Sequence, residues 1–279
     1  MAGLRELKKH LKSITTTGQL ASAMKTVSSA KFSRVNAALQ RYREYAGGCS
    51  AVMEQFGGAL TEAMPKGNAD APIYYIVATS NRGLCGGYNS NLLAYAQELF
   101  AEKESGEYRI ITLGRMAEGY FAEHGIETLK SFPLPDVPSF EGCMELFDFV
   151  WNAYTSGEAS CVSFIYEGFR NMLTQTPKQK QILPLTEERP GAPGAESELL
   201  CIPDRATVMK NLCRSMIDAA VFETVLECAA GAQAATLIAM REACDNAEDS
   251  AAALELEISR KRQSEVTASV IETFSAEYE

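Results

Sequence analysis

The sequence predicts an α/β protein in which long N- and C-terminal helices form an antiparallel coiled coil, with a Rossmann-like α/β domain inserted between them. Two observations predict this arrangement. Apolar residues recur every three or four positions through both ends of the chain, as in a helical stripe. Between the ends the pattern changes to short apolar runs separated by breaks, which is typical of alternating strands and helices. The three predicted parts are residues 1–58, 70–200 and 204–279.

The N-terminal helix is predicted from about residue 3 to residue 58. Its apolar stripe runs from Leu4 to Tyr45, and the first proline of the chain is Pro65. Gly18 interrupts this stretch at a cost of about 1 kcal/mol relative to alanine, so we interpret it as a place where the helix can bend.

The C-terminal helix is predicted to start at Pro203 and Asp204, which are good helix-start residues. An apolar stripe continues from Met209 to Ala251, with no later proline. A helix over 204–276 would be roughly 110 Å long at 1.5 Å per residue, so it must pair with another helix or project into a partner. The small residues at 229–235 and 250–253 would permit close helix approach.

The middle of the chain is predicted to hold a parallel or mixed sheet with helices on its faces. In chain order the predicted strands are APIYYIVATS, YRIITLG, ASCVSFIYEGF and NMLTQTPKQKQILPL. The predicted helices are NSNLLAYAQELFAEK, RMAEGYFAEHG and EGCMELFDFVWNAYTSG, and a proline-rich loop, SFPLPDVPS, precedes the last of them.

The loop SNRGLCGGYN, residues 80–89, follows the first predicted strand, where open α/β sheets usually bind ligands. It matches neither GxxxxGK[ST] nor GxGxxG, and no lysine follows its glycines to reach a phosphate. We therefore favour a tight strand-to-helix connection in which Gly83, Gly86 and Gly87 take backbone angles closed to other residues. A nucleotide-dependent enzyme built on this domain stays as an alternative.

No catalytic constellation is found in the sequence. The motifs GxSxG and HExxH are absent, and the carboxylates are scattered. We expect no catalytic site, no cofactor site and no metal site in this chain. The eight cysteines form no CxxC pair, and we expect reduced thiols that act as small core residues.

The charge of the chain disfavours nucleic-acid binding. The formal net charge is −10, whereas a nucleic-acid binder needs a positive face. Residues 1–45 carry nine Lys/Arg against two Asp/Glu, and residues 200–279 carry seven against fourteen. This asymmetry indicates either two oppositely charged helices that pair with each other or a basic arm for an acidic partner.

Membrane insertion and secretion are not expected. No apolar stretch approaches the roughly 20 residues that span a bilayer. The N-terminus, MAGLRELKKHLKS, lacks the apolar segment of a secretory signal, so we expect a soluble protein on the cytosolic side.

Four stretches of the chain carry a family resemblance: residues 13–31, SNRGLCGGYN, FRNMLTQTPKQKQILPL, and a set of residues between Ala239 and Thr267. They resemble the gamma subunit family of the F-type ATP synthase. Residues 13–31, SITTTGQLASAMKTVSSAK, are similar to its first-helix signature, and SNRGLCGGYN is similar to its SDRGLCGGLN. FRNMLTQTPKQKQILPL is similar to the family's FxNTMxQxPxxxxLLPL. The last-helix signature is followed by Ala239-Met240, Ala243, Asp245-Asn246, Arg262-Gln263 and Thr267.

The chain also departs from this family's pattern. The departures are Asn81 for aspartate, Gln19 for lysine, Gly231-Ala232 for Ser-Glu, Thr236 for arginine and Ser269 for glutamate, with an atypical C-terminus, SAEYE. Several of them fall where the family contacts its partners. The resemblance therefore implies a divergent or paralogous member.

The resemblance implies a subunit without an active site of its own. Its helix pair would fill the central cavity of the hexamer of alpha and beta subunits, and its base would rest on the membrane rotor ring of c subunits, with an epsilon subunit as a further partner. Rotation driven by protons or sodium ions would couple to ATP synthesis or hydrolysis. Such a complex lies peripherally on the cytoplasmic face of the cell membrane. A coiled-coil adaptor or scaffold without rotary catalysis is the alternative.

The resemblance also implies partner contacts at a small set of residues. They are Met24, Lys25 and Lys31 in the first helix, Asn81 and Arg82 in the loop, and Arg262, Gln263 and Thr267 in the last helix. Simpler interpretations exist, since Met24 matches the coiled-coil stripe and the two lysines could be solvated charges. The charged run 260–262 could likewise be a solvated face. Gln263 and Thr267 lie four residues apart, on one helical face.

Overall fold

The architecture is given by a computed structural model that describes residues 2–54, 65, 67–104, 106–172, 174–184, 201–202 and 204–277. The chain divides into two compact units: Met1–Ser28 with Thr236–Glu279, and Ser29–Ala235. The long helices are α1, Ala2–Glu54, and α5, Arg205–Glu277. Pro203 lies outside the described residues, but Asp204 caps α5 as expected, because its carboxylate accepts hydrogen bonds from the backbone N–H and the hydroxyl of Thr207.

The α/β class predicted from the sequence is confirmed. Between the long helices lie β1, Ile73–Ala78; α2, Tyr88–Ala101; β2, Tyr108–Leu113; α3, Arg115–Glu123; β3, Lys130–Phe132; a 3₁₀ turn, Glu141–Cys143; α4, Met144–Thr155; β4, Cys161–Phe169; and β5, Gln175–Leu183. The short strand β3 is the element that sequence reasoning missed. Its last two residues, Ser131 and Phe132, are the first two of the segment that was expected to be a proline-rich loop.

The sheet is mixed and has the order β3-β2-β1-β4-β5. The first four strands are parallel, and β5 pairs antiparallel with β4. The central strand β1 sets Ile76 opposite Ile111 of β2 on one side and Phe164 of β4 on the other. The carboxyl ends of β1, β2 and β3 therefore meet at one edge of the sheet.

The two faces of the sheet bury different helices. Ile76, Phe164 and Tyr166 point into a cluster with residues of α1, α4 and α5, among them Leu39 and Val221. The alternate residues of the same strands pack against α2 and α3; these are Tyr75, Val77 and Ile165 of the strands with Leu92, Ala96 and Phe121 of the helices. This period of two follows from the pleat, which sends successive side chains to opposite faces.

In the unit formed by residues 1–28 and 236–279, α1 and α5 run antiparallel. Gly18 lies against Ala247, and Ala21 packs in a buried cluster with Met240 and Cys244. The glycine does not interrupt α1, which is one helix from Ala2 to Glu54. A Cβ at Gly18 would lie 3.1 Å from the Cβ of Ala247, so this glycine allows close approach of the helices.

The small residues at 229–235 allow a close contact between α5 and the α/β domain. Gly231 lies against the α/β domain, where a Cβ would stand 3.3 Å from Cε2 of Tyr88 and 3.7 Å from the carbonyl oxygen of Glu167. Ala229, Ala230, Ala232 and Ala234 are buried. In the second small-residue segment, 250–253, three of the four residues are exposed and Ala251 is half-buried.

The cysteines act as core residues, as expected. Seven cysteines are described with free thiols, and five of them are buried: Cys85, Cys143, Cys213, Cys228 and Cys244. Burial raises the pKa of Cys143 to about 11. The side chain of Cys49 lies outside the described residues.

One expectation about membrane segments needs correction. Helix α5 contains an 18-residue window with a mean hydropathy of 1.2, long and apolar enough for a span by length and composition alone. However, 67% of this window is buried inside the protein, as in a core helix.

Candidate partner-contact surfaces

Met24 belongs to the packing between the two long helices. It is half-buried and contacts the cluster of Ala21, Met240 and Cys244. Met24 therefore occupies a position in the packing between the helices, as its place in the apolar stripe predicts. Lys25, the next residue, is also half-buried.

Lys31 makes an ion pair within the chain. Its Nζ lies 2.5 Å from Oδ2 of Asp136, in the loop that follows β3, and the two side chains are partly exposed. The contact ties α1 to that loop. Lys31 is thus not the plain solvated charge that its sequence position also allowed.

The end of α5 carries three of the predicted contact residues on an exposed helix. Arg262, Gln263 and Thr267 are all exposed. The hydroxyl of Thr267 donates a 2.9 Å hydrogen bond to the backbone oxygen of Gln263, one turn earlier. Val266 and Val270 are also about half exposed, at 55% and 48%. We call residues 262–270 the α5 end surface; it offers both polar and apolar groups.

Asn81 is an internal bridge at the carboxyl edge of the sheet. Its Nδ2 donates a hydrogen bond to the backbone oxygen of Leu134, and its Oδ1 accepts one of 3.3 Å from the backbone N–H of Arg115. These partners follow β3 and β2, whereas Asn81 follows β1. The side chain therefore joins the three segments that leave this edge.

A buried polar cluster fixes the loop that follows β1. The amide of Asn89 accepts a 3.0 Å bond from the N–H of Ser80 and donates to the Ser80 hydroxyl at 2.8 Å. The same amide nitrogen lies 3.1 Å from Sγ of Cys85. The Ser80 hydroxyl donates to the backbone oxygen of Arg82 at 2.6 Å. The side chains of Ser80 and Asn89, at the two ends of the loop, are thus hydrogen-bonded to each other.

The glycines of this loop act differently from the sequence expectation. Gly86 has a φ of +59°, but Gly83 and Gly87 do not take left-handed angles. Leu84 takes one instead, with a φ of +62°, and its side chain is 61% exposed. A leucine rarely adopts this conformation, because its Cβ crowds the following carbonyl. The loop therefore presents Leu84 and the exposed Arg82 outwards.

Two buried glutamates were missed by sequence reasoning. Glu227 of α5 accepts hydrogen bonds from β4 and β5, and Glu167 of β4 is 1% exposed. Among the described residues, Oε2 of Glu167 has no hydrogen-bond partner. The available signal was a single glutamate within an otherwise apolar stretch, VLECAAG for Glu227 and SFIYEGF for Glu167.

A small cleft of about 270 Å³ lies on the α/β domain, away from the loop that follows β1. Its lining includes three carboxylates, and Lys130 is paired with Glu145 at 2.9 Å. The full lining is Lys130, Glu145, Asp148, Phe149, Asn152, Ala153 and Glu158. This acidic lining is unsuited to a phosphate. Within the described ranges, no group of three or more His, Cys, Asp or Glu residues is placed to hold a metal.

Comparisons with known proteins agree with this architecture. The sequence model of the ATP synthase family matches residues 3–277. The ATP synthase gamma chain of Pelotomaculum thermopropionicum is 31% identical over 276 residues, covering 98% of this chain and 97% of the relative. That of Chlorobaculum tepidum is 29% identical over 278 residues, covering 96% and 95%.

Solved structures share the fold. The match to the Euglena gracilis mitochondrial ATP synthase, an OSCP/F1/c-ring assembly in rotational state 3, has a TM-score of 0.66 at 16% identity and covers 99% of this chain and 93% of that chain. A match to the central stalk and c-ring of the Tetrahymena thermophila mitochondrial ATP synthase has a TM-score of 0.63 at 19% identity and covers 80% and 99%.

These findings define the chain first as an α/β protein with long N- and C-terminal helices. The chain belongs to the ATP synthase gamma chain family. The alternative of a coiled-coil scaffold without a rotary role is not favoured.

Proposed function

We propose that this chain is the central rotor shaft of an F-type ATP synthase, coupling ion-driven rotation to ATP synthesis or hydrolysis. The observation that supports this most directly is the antiparallel pairing of α1 and α5, seen at Gly18 and Ala247, in a member of the gamma chain family. In this proposal residues 1–58 and 204–279 are the shaft, and residues 70–200 are its base.

Rotation of an asymmetric shaft gives each catalytic site of a surrounding hexamer a different neighbour in turn. Here the asymmetry is one of charge, because residues 1–45 carry nine Lys/Arg against two Asp/Glu while residues 200–279 carry seven against fourteen. A site that faces the basic helix and a site that faces the acidic helix have different conformational preferences. Differential contact of this kind shifts conformational populations and so changes nucleotide affinity.

The partners in this proposal are the alpha and beta subunits around the helix pair, and the epsilon subunit with the ring of c subunits at the base. The complex lies peripherally on the cytoplasmic face of the membrane. Arg82, with its exposed neighbour Leu84, and Arg262, Gln263 and Thr267 of the α5 end surface carry the contacts. Lys25 is a further contact residue.

The other three predicted contact residues make contacts within the chain itself. Met24 packs between the helices, Lys31 pairs with Asp136, and Asn81 bridges loops. In the proposal they contribute to partner binding chiefly by holding those segments in place.

Co-expression tests this function. The chain is produced with the alpha and beta subunits encoded in the same genome, and the purified complex is assayed for ATP hydrolysis. We expect a stoichiometric complex with ATPase activity and no activity from this chain alone. A chain that fails to join these subunits would contradict the proposal.

A further inference from the structure

Glu227 of α5 is a buried carboxylate that binds two strands of the sheet. Its side chain is 7% exposed. Its Oε2 accepts a 2.9 Å hydrogen bond from the hydroxyl of Tyr166, and its Oε1 accepts one of 3.0 Å from the backbone N–H of Phe169. Oε1 also lies 3.1 Å from Nζ of Lys178 in β5. One side chain of the helix thus contacts both β4 and β5.

Lys178 passes close to a glycine. A Cβ at Gly168 would stand 2.6 Å from Cε and 2.8 Å from Cδ of Lys178, so a larger residue there would displace the lysine stem from its present path. The ammonium also lies 4.7 Å from the centre of the Tyr166 ring, where a cation is attracted to the aromatic face. The buried charge of Glu227 therefore meets a cation and two neutral donors.

A second, more exposed contact lies one turn earlier on the same helix. Glu223 is within 3.5 Å of Arg43 in α1 and of Lys180 in β5. These four-residue and two-residue spacings put both glutamates on one face of α5 and both lysines on one face of β5. The longer distances and the greater exposure of the glutamate, 28% against 7%, make the Glu223 contacts weaker than those of Glu227.

We propose that Glu227, Lys178, Tyr166 and the N–H of Phe169 form a clamp that transmits torque from the α/β domain to α5. This inference rests on the proposed rotor function. Apolar packing is non-directional, so by itself it specifies the angle between a helix and a sheet less strictly than directional bonds do. Buried charge-assisted hydrogen bonds have one favoured geometry, and breaking them leaves an uncompensated charge. The clamp fixes the angular register of the shaft on its base.

The test compares coupling in the assembled ATP synthase carrying Glu227→Gln or Lys178→Met. Both changes keep most of the side-chain shape and remove the charge. The readout is the number of ions pumped per ATP hydrolysed in vesicles. We expect this ratio to fall at least roughly twofold, because the charge-assisted bonds are the strong ones in the clamp. A merely structural role would lower the amount of complex and both rates together, leaving the ratio unchanged.

Matched variants sharpen the result. Glu223→Gln, at the more exposed contact, is expected to leave the ratio at the wild-type value. The double variant Glu227→Gln/Lys178→Met is expected to match the worse single variant, because the two residues act as one unit. Gly168→Ala, which displaces the stem of Lys178, is expected to lower the ratio by no more than Lys178→Met does.

Two outcomes would overturn the clamp. One is an unchanged ratio in assembled complexes of both single variants. The other is an equal loss in the Glu223→Gln control. If Glu227→Gln fails to assemble, Lys178→Met decides, since its lysine is 43% exposed and its loss is better tolerated. Failure of the wild-type chain to assemble would instead overturn the proposed function, and the torque role with it.

Discussion

Gly18 of α1 and Ala247 of α5 mark the close approach of the two long helices, since a Cβ on the glycine would lie 3.1 Å from the alanine Cβ. A larger side chain at this position would have to push the two helices apart. The pair therefore gives the helix pairing a specific test.

Gly18→Leu is expected to destabilise the protein by about 1–3 kcal/mol, the usual cost of overpacking a filled site. The measurement is the free energy of unfolding from urea denaturation monitored by circular dichroism.

The matched control is Gly47→Leu, at an exposed glycine of the same helix where a Cβ meets nothing within 4 Å. Here the better helix propensity of leucine is expected to stabilise α1 by up to about 1 kcal/mol. Equal effects at the two glycines would contradict the close approach.

Glu167 predicts a pH dependence of stability. Burial raises the pKa of this carboxyl from 4.5 to about 7. The folded protein therefore binds a proton that the unfolded chain has already released between these two values, and the contribution of Glu167 to stability is lost as pH rises through about 7.

Glu167→Met replaces the buried carboxyl with an apolar side chain of similar length. We expect the variant to be more stable than wild type at pH 8, by about 3 kcal/mol at most, with the advantage shrinking towards pH 5. Thermal unfolding at both pH values measures this. A variant no more stable than wild type at pH 8 would contradict the cost of burying the ionised group.

Asp204 predicts the opposite trend at the start of α5. The backbone and then the side-chain hydrogen bonds from Thr207 lower the pKa of this carboxyl. Its capping contribution is therefore present above about pH 4, the pKa in the unfolded chain, and is lost as pH falls through the lower folded value.

Amide hydrogen exchange at Thr207 reports this cap. We expect Asp204→Ala to speed exchange at pH 6, because the N–H loses its acceptor. Asp204→Asn keeps an acceptor and is expected to stay protected, but without the acid-dependent loss. Unchanged exchange in the alanine variant would show that the cap contributes nothing.

Asn81 and Arg82 are adjacent residues with opposite predicted effects. Asn81→Ala removes two hydrogen bonds at the sheet edge and is expected to cost about 1–3 kcal/mol in unfolding free energy. Arg82→Ala removes an exposed side chain and is expected to leave that free energy within about 0.5 kcal/mol.

For partner binding, Arg82 is the residue whose side chain is proposed to make the contact. Arg82→Ala is expected to weaken binding to the partners proposed at the base, the epsilon subunit and the ring of c subunits, measured by surface-immobilised binding of the purified chain. Normal binding by a stable Arg82→Ala chain would remove this residue from the proposed contacts.

Periodicity in the sequence was enough to predict the fold, because both terminal stripes and the strands β1, β2 and β4 carry strong apolar patterns. The strand β3 was missed because three residues are too few to show a period. Gly18 was interpreted as a bend, since a sequence shows the propensity cost of glycine but not the helix that packs on it.

The candidate surfaces could be predicted only in part. Arg82, Arg262, Gln263 and Thr267 are exposed, as contact residues need to be. Lys31 and Asn81 have partners 105 and 53 residues away, in the loop after β3, and no local pattern indicates such pairs. The left-handed backbone conformation of Leu84 was not predicted either, because this conformation was expected at the nearby glycines.

Observation of single assembled complexes tests the central claim most directly. The alpha and beta subunits are fixed to a surface, and a visible probe is attached to the α/β domain of this chain. On addition of ATP, we predict stepwise rotation of the probe in one direction. A complex that contains this chain and hydrolyses ATP while the probe stays still would contradict the rotor function.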